Sequence, residues 1–171
     1  KGLGMNLLGV MAVAVCVLAG GTQGQDAVLP SGPAKAVQPS SPTAKLVYVR
    51  MSTTAGDILL ELNHEKAPVT VENFLGYVEQ KAYDGTIFHR VIPTFMVQGG
   101  GYTPDLTELK GGPPIKNEWQ NGLKNVRGSI AMAREADPDT ATREFYINVV
   151  DNPKLDGPRA TTGNAGYAVL G

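Results

Sequence analysis

The feature that most limits the fold of this chain is a series of short β-forming segments after residue 83, separated by loops that contain glycine. The segments are 87–91, 95–98, 129–132, 145–149 and 167–170, and a long loop over 101–125 interrupts them. The 171 residues include 21 glycines and 12 prolines, which favours a loop-rich β fold over a helix bundle. Short strands joined by long loops are typical of a β-barrel.

Two further elements precede this series. Residues 46–51 and 58–62 are rich in β-formers and flank a turn-forming stretch, which predicts a β-hairpin. Apolar residues then recur at helical spacing over 67–80, which predicts a helix with one apolar face. Pro68 suits the first turn of this helix, and Thr70 is the expected N-cap.

The first 24 residues have the pattern of a signal peptide, with Lys1 followed by an almost purely apolar run over 5–18. This run is shorter than the roughly 20 residues that a membrane-spanning helix needs. Small residues up to Gly24 predict cleavage there, so we expect export to the periplasm. Secretion, or a membrane tether through an uncleaved leader, is the alternative. The Pro, Ser and Ala composition of 25–44 predicts a flexible linker, which leaves 45–171 as the folded domain.

The ionisable and metal-binding residues exclude several classes of function. A net charge of -1 gives no basis for binding nucleic acid through bulk charge. The single cysteine, Cys16, lies in the leader, so neither a disulfide nor a cysteine nucleophile is expected in the domain. The two histidines, His64 and His89, are too few for a histidine-based zinc site. We therefore expect neither a metal nor a cofactor.

The segment 88–100, FHRVIPTFMVQGG, closely resembles the signature of the cyclophilins. Four other segments resemble that family in the same order: APVTVENF at 67–74, YDGT at 83–86, GSIAMAR at 128–134 and FYINVVDN at 145–152. The resemblance extends over about 47–171. It implies a mainly β fold, an eight-stranded antiparallel closed barrel capped by two helices. Gly171 falls within the strand before the second helix, so we expect the last helix and strand to be missing from this chain.

The resemblance also implies a peptidyl-prolyl cis-trans isomerase that assists the folding of exported proteins. Its expected partners are proline-containing polypeptides, and we expect the protein itself to be a monomer. Twisting the X-Pro amide leaves a lone pair on the proline nitrogen, and a fixed cationic donor can bind that lone pair only near the transition state. Arg90 is the predicted donor, because its guanidinium is always charged and offers several N–H groups. Gln98 is predicted to orient Arg90 and the substrate carbonyl.

The remaining predicted site residues would form the substrate groove. They are Phe95, Met96, Tyr146 and Leu155 around the proline ring, Ala133 and Arg134 at the groove edge, Tyr167 at the pocket rim, and Glu144 beside Arg90. Aromatic rings and a thioether suit an apolar five-membered ring. His89 is expected to pack within the barrel rather than to carry out acid–base chemistry.

Four positions depart from the usual pattern of the family. Arg143 stands where the family usually has a small polar residue. Glu144 stands where the family has glutamine, and strand alternation predicts that Glu144 and Tyr146 share the groove face. An ion pair between Glu144 and Arg90 is the expected result. Tyr146 replaces phenylalanine, and Lys154 replaces an aromatic residue. These departures leave a second hypothesis open, a cyclophilin-like chaperone that binds extended segments with little turnover.

Overall fold

The computed structural model of the protein describes residues 11–14 and 46–171. The predicted linker lies outside the described residues, as does the predicted signal peptide apart from 11–14. The strands are β1 (Met11–Ala14), β2 (Leu46–Thr53), β3 (Gly56–Asn63), β4 (Arg90–Ile92), β5 (Met96–Gly99), β6 (Ile130–Met132) and β7 (Phe145–Asn148). One α-helix, α1 (Pro68–Glu79), and three short 3-10 helices, Pro138–Thr140, Pro153–Leu155 and Ala160–Thr162, complete the elements. Within these residues, no helix is long and apolar enough to cross a membrane.

The predicted hairpin and helix are both confirmed. Strands β2 and β3 pair in antiparallel register from Leu46 opposite Asn63 to Thr53 opposite Gly56. Helix α1 starts at Pro68 and buries Val71, Phe74 and Val78, because these residues share one face at helical spacing.

The prediction that Thr70 caps α1 was wrong, since Ala67 occupies the N-cap position and makes no side-chain cap bond. The Glu118 carboxylate, which lies in a distant loop, caps the helix instead. It accepts hydrogen bonds from the backbone N–H groups of Val69 at 3.3 Å and Thr70 at 2.8 Å. The Thr70 hydroxyl also donates to it at 2.7 Å. A carboxylate suits this position because the first N–H groups of a helix lack partners and carry partial positive charge.

The later segments form one antiparallel sheet in the order β4-β5-β7-β6. Its strands begin or end within a few residues of the predicted segments, but each is short. The predicted strand over 167–170 is not a full strand. It runs beside β6, where Met132 donates to Ala168 at 3.0 Å and Leu170 donates to Ile130 at 3.0 Å.

The described residues do not form the expected closed barrel. Strands β1, β2 and β3 make a separate three-stranded sheet. The two sheets are joined near the end of β3, where the backbone N–H of Asn63 donates to the carbonyl of Leu170 at 2.7 Å. The mainly β architecture is therefore confirmed. The described strands pair into two linked sheets and not into a closed barrel.

Two apolar clusters fill the domain. The larger joins α1 to both sheets, and its centre is an aromatic group of Phe74, Tyr83 and Phe145 with ring centroids 5.2 to 5.5 Å apart. The smaller contains Met96, Ala131, Tyr146, Leu155 and Val169. Because side chains alternate along β7, Phe145 enters the larger cluster and Tyr146 the smaller one.

Candidate functional site

The hairpin of β4 and β5 places the two predicted catalytic residues side by side. Arg90 lies directly opposite Gln98 in the antiparallel register. Side chains at such opposed positions share one face of the sheet, and the Arg90 Nη1 group donates to Gln98 Oε1 at 3.1 Å. Arg90 is exposed, so its guanidinium can be reached from solvent.

A strained turn directs Phe95 toward the same face. Phe95 N–H donates to the carbonyl of Ile92 at 3.1 Å, which closes a four-residue turn around Pro93 and Thr94. Proline fits the second position of such a turn, but Thr94 has φ of 63°, a conformation that a β-branched residue rarely adopts. The turn therefore carries a local cost while it presents Phe95 beside Met96.

A groove of about 350 Å³ lies next to this hairpin. Every predicted site residue except Glu144 lines it: Arg90, Phe95, Met96, Gln98, Ala133, Arg134, Tyr146, Leu155 and Tyr167. The floor is the smaller apolar cluster, in which Met96, Tyr146 and Leu155 are all buried. The groove therefore combines an apolar floor with a cationic rim, an arrangement that suits an apolar ring flanked by peptide carbonyls.

Arg134 holds the opposite rim in place. Its Nη2 group donates to the carbonyls of Thr162 at 3.1 Å, Ala165 at 3.0 Å and Gly166 at 2.9 Å. The guanidinium also lies 4.5 Å from the centre of the Tyr167 ring, within the range of a cation–π interaction. Arg134 thus fixes the loop that precedes Tyr167.

One lining residue, Arg159, was not predicted from the sequence, and it adds a cation to the rim. It stands just before the 3-10 helix Ala160–Thr162 in a polar loop. A lone arginine in such a loop gives no local signal, because only the tertiary path of the loop brings it to the groove.

The predicted ion pair between Glu144 and Arg90 was wrong. Among the described residues, the Glu144 carboxylate accepts from Gln98 Nε2 at 2.6 Å and lies 3.5 Å from His89 Nε2. Arg90 reaches Gln98 instead. An ionised carboxylate can only accept, so it holds the Gln98 amide with its NH₂ group toward Glu144 and its oxygen toward Arg90. Glu144 therefore acts on Arg90 through Gln98.

His89 lies next to Glu144, at one end of this chain of hydrogen bonds. Its ring packs against Tyr102, with ring centroids 4.4 Å apart. Burial lowers the pKa of His89, the Arg90 charge lowers it further, and the Glu144 carboxylate opposes both effects. The Nδ1 atom is buried without a hydrogen-bond partner among the described residues. A neutral, packed imidazole agrees with the expectation that His89 does no acid–base work.

The Tyr146 hydroxyl, which departs from the usual family residue, turns away from the groove. It donates to Asn125 Oδ1 at 2.7 Å, and the Asn148 Nδ2 group donates to the same oxygen at 3.1 Å. Burial raises the pKa of Tyr146 well above its ordinary value, so the hydroxyl stays protonated. Tyr146 therefore presents only its aromatic ring to the groove, as a phenylalanine would.

Comparison with known proteins agrees with this geometry. The family described as cyclophilin type peptidyl-prolyl cis-trans isomerase/CLD matches residues 48–171. The chain belongs to the cyclophilin-type peptidyl-prolyl cis-trans isomerases. The match includes the Arg90 hairpin, the groove floor and both rims of this cyclophilin domain.

Bacterial relatives are similar over most of the domain. The chain is 50% identical over 137 residues to peptidyl-prolyl cis-trans isomerase A of Dickeya dadantii, covering 80% of this chain and 70% of that protein. It is 54% identical over 123 residues to the isomerase cyp18 of Streptomyces antibioticus, covering 72% and 74% of the two chains. Among solved structures, a Cryptosporidium parvum cyclophilin crystallised in the presence of the dipeptide Ala-Pro is 31% identical, with a TM-score of 0.61 over 72% of this chain and 75% of that one.

Proposed function

We propose that this cyclophilin accelerates X-Pro rotation by donating a hydrogen bond from Arg90 to the nitrogen of the twisted amide. The observation that carries the proposal is that the Arg90 guanidinium stands at the rim of an apolar groove and is bonded to Gln98 at 3.1 Å. The barrier to X-Pro rotation is about 18–20 kcal/mol because amide resonance must be lost. No nucleophile or proton transfer is required, since the chemistry is rotation alone.

The geometry supports a division of labour within the groove. Met96, Tyr146 and Leu155 would hold the proline ring, because this floor is buried and apolar. Gln98 would orient Arg90, and the backbone of Ala133 and Arg134 would bind the residue before proline. The donor would gain its acceptor only when the nitrogen becomes pyramidal, so the bond would favour the transition state over either planar isomer.

The proposed substrates are proline-containing polypeptides. The Cryptosporidium parvum neighbour, whose crystal structure was determined in the presence of the dipeptide Ala-Pro, supports this class of ligand. The groove would contact an apolar ring and peptide carbonyls, which are common to every X-Pro segment. We therefore expect the protein to accept many different residues before proline.

The proposed place of action is outside the cytoplasm, on exported proteins during folding. The apolar run over 5–18 with its positive flank and small-residue end supports export. A reporter enzyme that is active only after export, fused behind residues 1–44, should become active. Mass determination of the exported fusion should place the new N-terminus near Gly24. A reporter that stays inactive would refute the export proposal without affecting the isomerase proposal.

The finer architecture is proposed from the family resemblance. We expect the described sheets to belong to an eight-stranded closed barrel with two capping helices, in a monomeric protein. A sedimentation mass of two chains would contradict the monomer.

One experiment separates catalysis from simple binding. Exchange between the cis and trans forms of a short peptide containing Ala-Pro can be followed by NMR, and the affinity of the same peptide can be measured by titration. The proposal predicts faster exchange at a catalytic concentration of protein. Binding of the peptide with an unchanged exchange rate would instead support a chaperone that holds such segments.

A further inference from the structure

A second cavity, about 580 Å³ in volume, lies between helix α1 and the loop over 110–113. It is separate from the groove, because none of the residues that line one cavity lines the other. Arg143 lines it from the domain interior, Tyr77 from the helix, and Lys110 and Gly112 from the loop. The isomerase mechanism uses none of these residues.

Arg143 is a buried cation, with 6% of its surface exposed. Its Nε group donates to the carbonyl of Gly100 at 2.7 Å, its Nη1 group to that of Lys110 at 3.5 Å, and its Nη2 group to that of Ala82. The guanidinium also lies 5.5 Å from the centre of the Tyr77 ring. A guanidinium has five N–H donors, so these three bonds leave two for a ligand.

Within residues 46–171, no carboxylate forms an ion pair with Arg143, since the ion pairs there join other residues. Backbone carbonyls and aromatic faces contribute only partial negative charge. Burying an uncompensated charge is costly, so an anion entering the cavity beside Arg143 would be stabilised.

Two other groups favour an anion at this place. The Tyr77 hydroxyl accepts a hydrogen bond from the N–H of Gly112 at 2.7 Å, which leaves its own hydrogen free to donate. Lys110 adds a positive charge at the exposed edge. One acidic residue, Glu72, also lines the cavity, but its side chain is 63% exposed and its carboxylate lies 3.3 Å from His64 Nε2.

We propose that this cavity is a binding site for a small oxyanion, in which Arg143 and Tyr77 donate hydrogen bonds to the anionic oxygens. The ligand class is a carboxylate or a phosphate group. It could come from an acidic side chain of a bound polypeptide or from a free phosphate, which share this chemistry. Because Arg143 also holds the carbonyl of Gly100, just after β5, an occupied site would tighten the end of the strand that carries Gln98.

The test is an NMR titration of the full chain with inorganic phosphate and, separately, with acetate, at constant ionic strength. The signals to follow are the Nε–H of Arg143 and the backbone N–H of Gly112. The proposal predicts saturable shifts of both signals. Saturation with acetate would identify a polypeptide carboxylate as a sufficient ligand, whereas saturation with phosphate alone would identify a free phosphate or a phosphoryl group.

Surface variants keep the test independent of folding defects at Arg143. Lys110→Gln should weaken the phosphate affinity and Glu72→Gln should strengthen it, each by about two- to fivefold, the range for a partly exposed charge. Arg50→Gln is the matched control, since it removes one positive charge from β2 and should leave the affinity unchanged. The proposal is overturned if neither probe gives saturable shifts, or if Lys110→Gln and Arg50→Gln have the same effect.

Discussion

Two arginines of this fold are held in opposite ways. Arg90 is exposed, and within the described part of the chain its guanidinium bonds to Gln98 alone. Arg143 is buried and its guanidinium bonds to three backbone carbonyls. Glu144 and Gln98 connect the two regions, because Glu144 follows Arg143 in the chain and accepts from Gln98. A lightly held cation can follow a developing lone pair, whereas a firmly held one fixes the carbonyls around it.

This contrast predicts the largest stability effect at Arg143. Arg143→Ser, which restores a small polar residue, would leave three carbonyls without their donor and open a cavity. We expect a loss of about 3 kcal/mol in the free energy of unfolding. Urea unfolding measures it, with the exposed Arg50→Ser as a control that should change by no more than about 0.5 kcal/mol. Equal effects for the two variants would remove the distinction between the interior and the surface.

A smaller loss of stability is expected at the groove floor. Tyr146→Phe removes the donor to Asn125, but that oxygen keeps its bond from Asn148 at 3.1 Å. The expected loss is about 1 kcal/mol, with turnover changed by less than about twofold because the ring remains. Tyr48→Phe is the exposed counterpart, since its hydroxyl donates to Glu61 at 2.8 Å, and should cost less. A large fall in turnover for Tyr146→Phe would show that the hydroxyl takes part in the reaction.

The link between the two regions should have a modest kinetic effect. Glu144→Gln allows the Gln98 amide to take either orientation, so the acceptor for Arg90 is no longer fixed. Turnover should fall by about two- to fivefold, on the scale of a partly exposed charge. Glu79→Gln, at the exposed end of α1, makes the same change of charge at a residue that takes no part in these hydrogen bonds, and should have no effect. A rise in turnover would mean that Glu144 restrains Arg90 rather than orienting it.

The effect of His89 should be confined to acid pH. Its pKa is lowered in the folded state, so the unfolded chain binds more protons below the ordinary value of 6.5. The stability that comes from keeping His89 neutral is therefore complete above about pH 6.5. It is lost as the pH falls from about 6.5 toward the lower pKa of the folded state. Turnover should be nearly flat from about pH 6 to pH 8, because the proposed mechanism moves no proton. His89→Gln should reduce the loss of stability in acid, and an unchanged acid profile would contradict the shift.

Elements that depend mainly on neighbours along the chain were predicted well, although the Thr70 cap was not. The hairpin of β2 and β3 and helix α1 follow from local patterns, whereas the partnership of Arg90 and Gln98 was implied by the family resemblance. Contacts between distant segments could not be read in this way. Glu118 reaches α1 from a loop 48 residues away. In the register of β5 against β7, Gln98 lies opposite Tyr146, and Glu144 stands two residues before Tyr146 on the same side of the chain. The Glu144 carboxylate therefore meets Gln98, whereas Arg90 lies on the other side of β5.

The most direct test of the account is a pair of measurements on Arg90→Ala. Catalytic efficiency toward an Ala-Pro peptide should fall about a hundredfold or more, as expected for the loss of a donor that acts in the transition state. The free energy of unfolding of the same preparation should change by no more than about 0.5 kcal/mol, because Arg90 is exposed. Near-wild-type catalysis by a folded Arg90→Ala variant would contradict the central role given to this arginine.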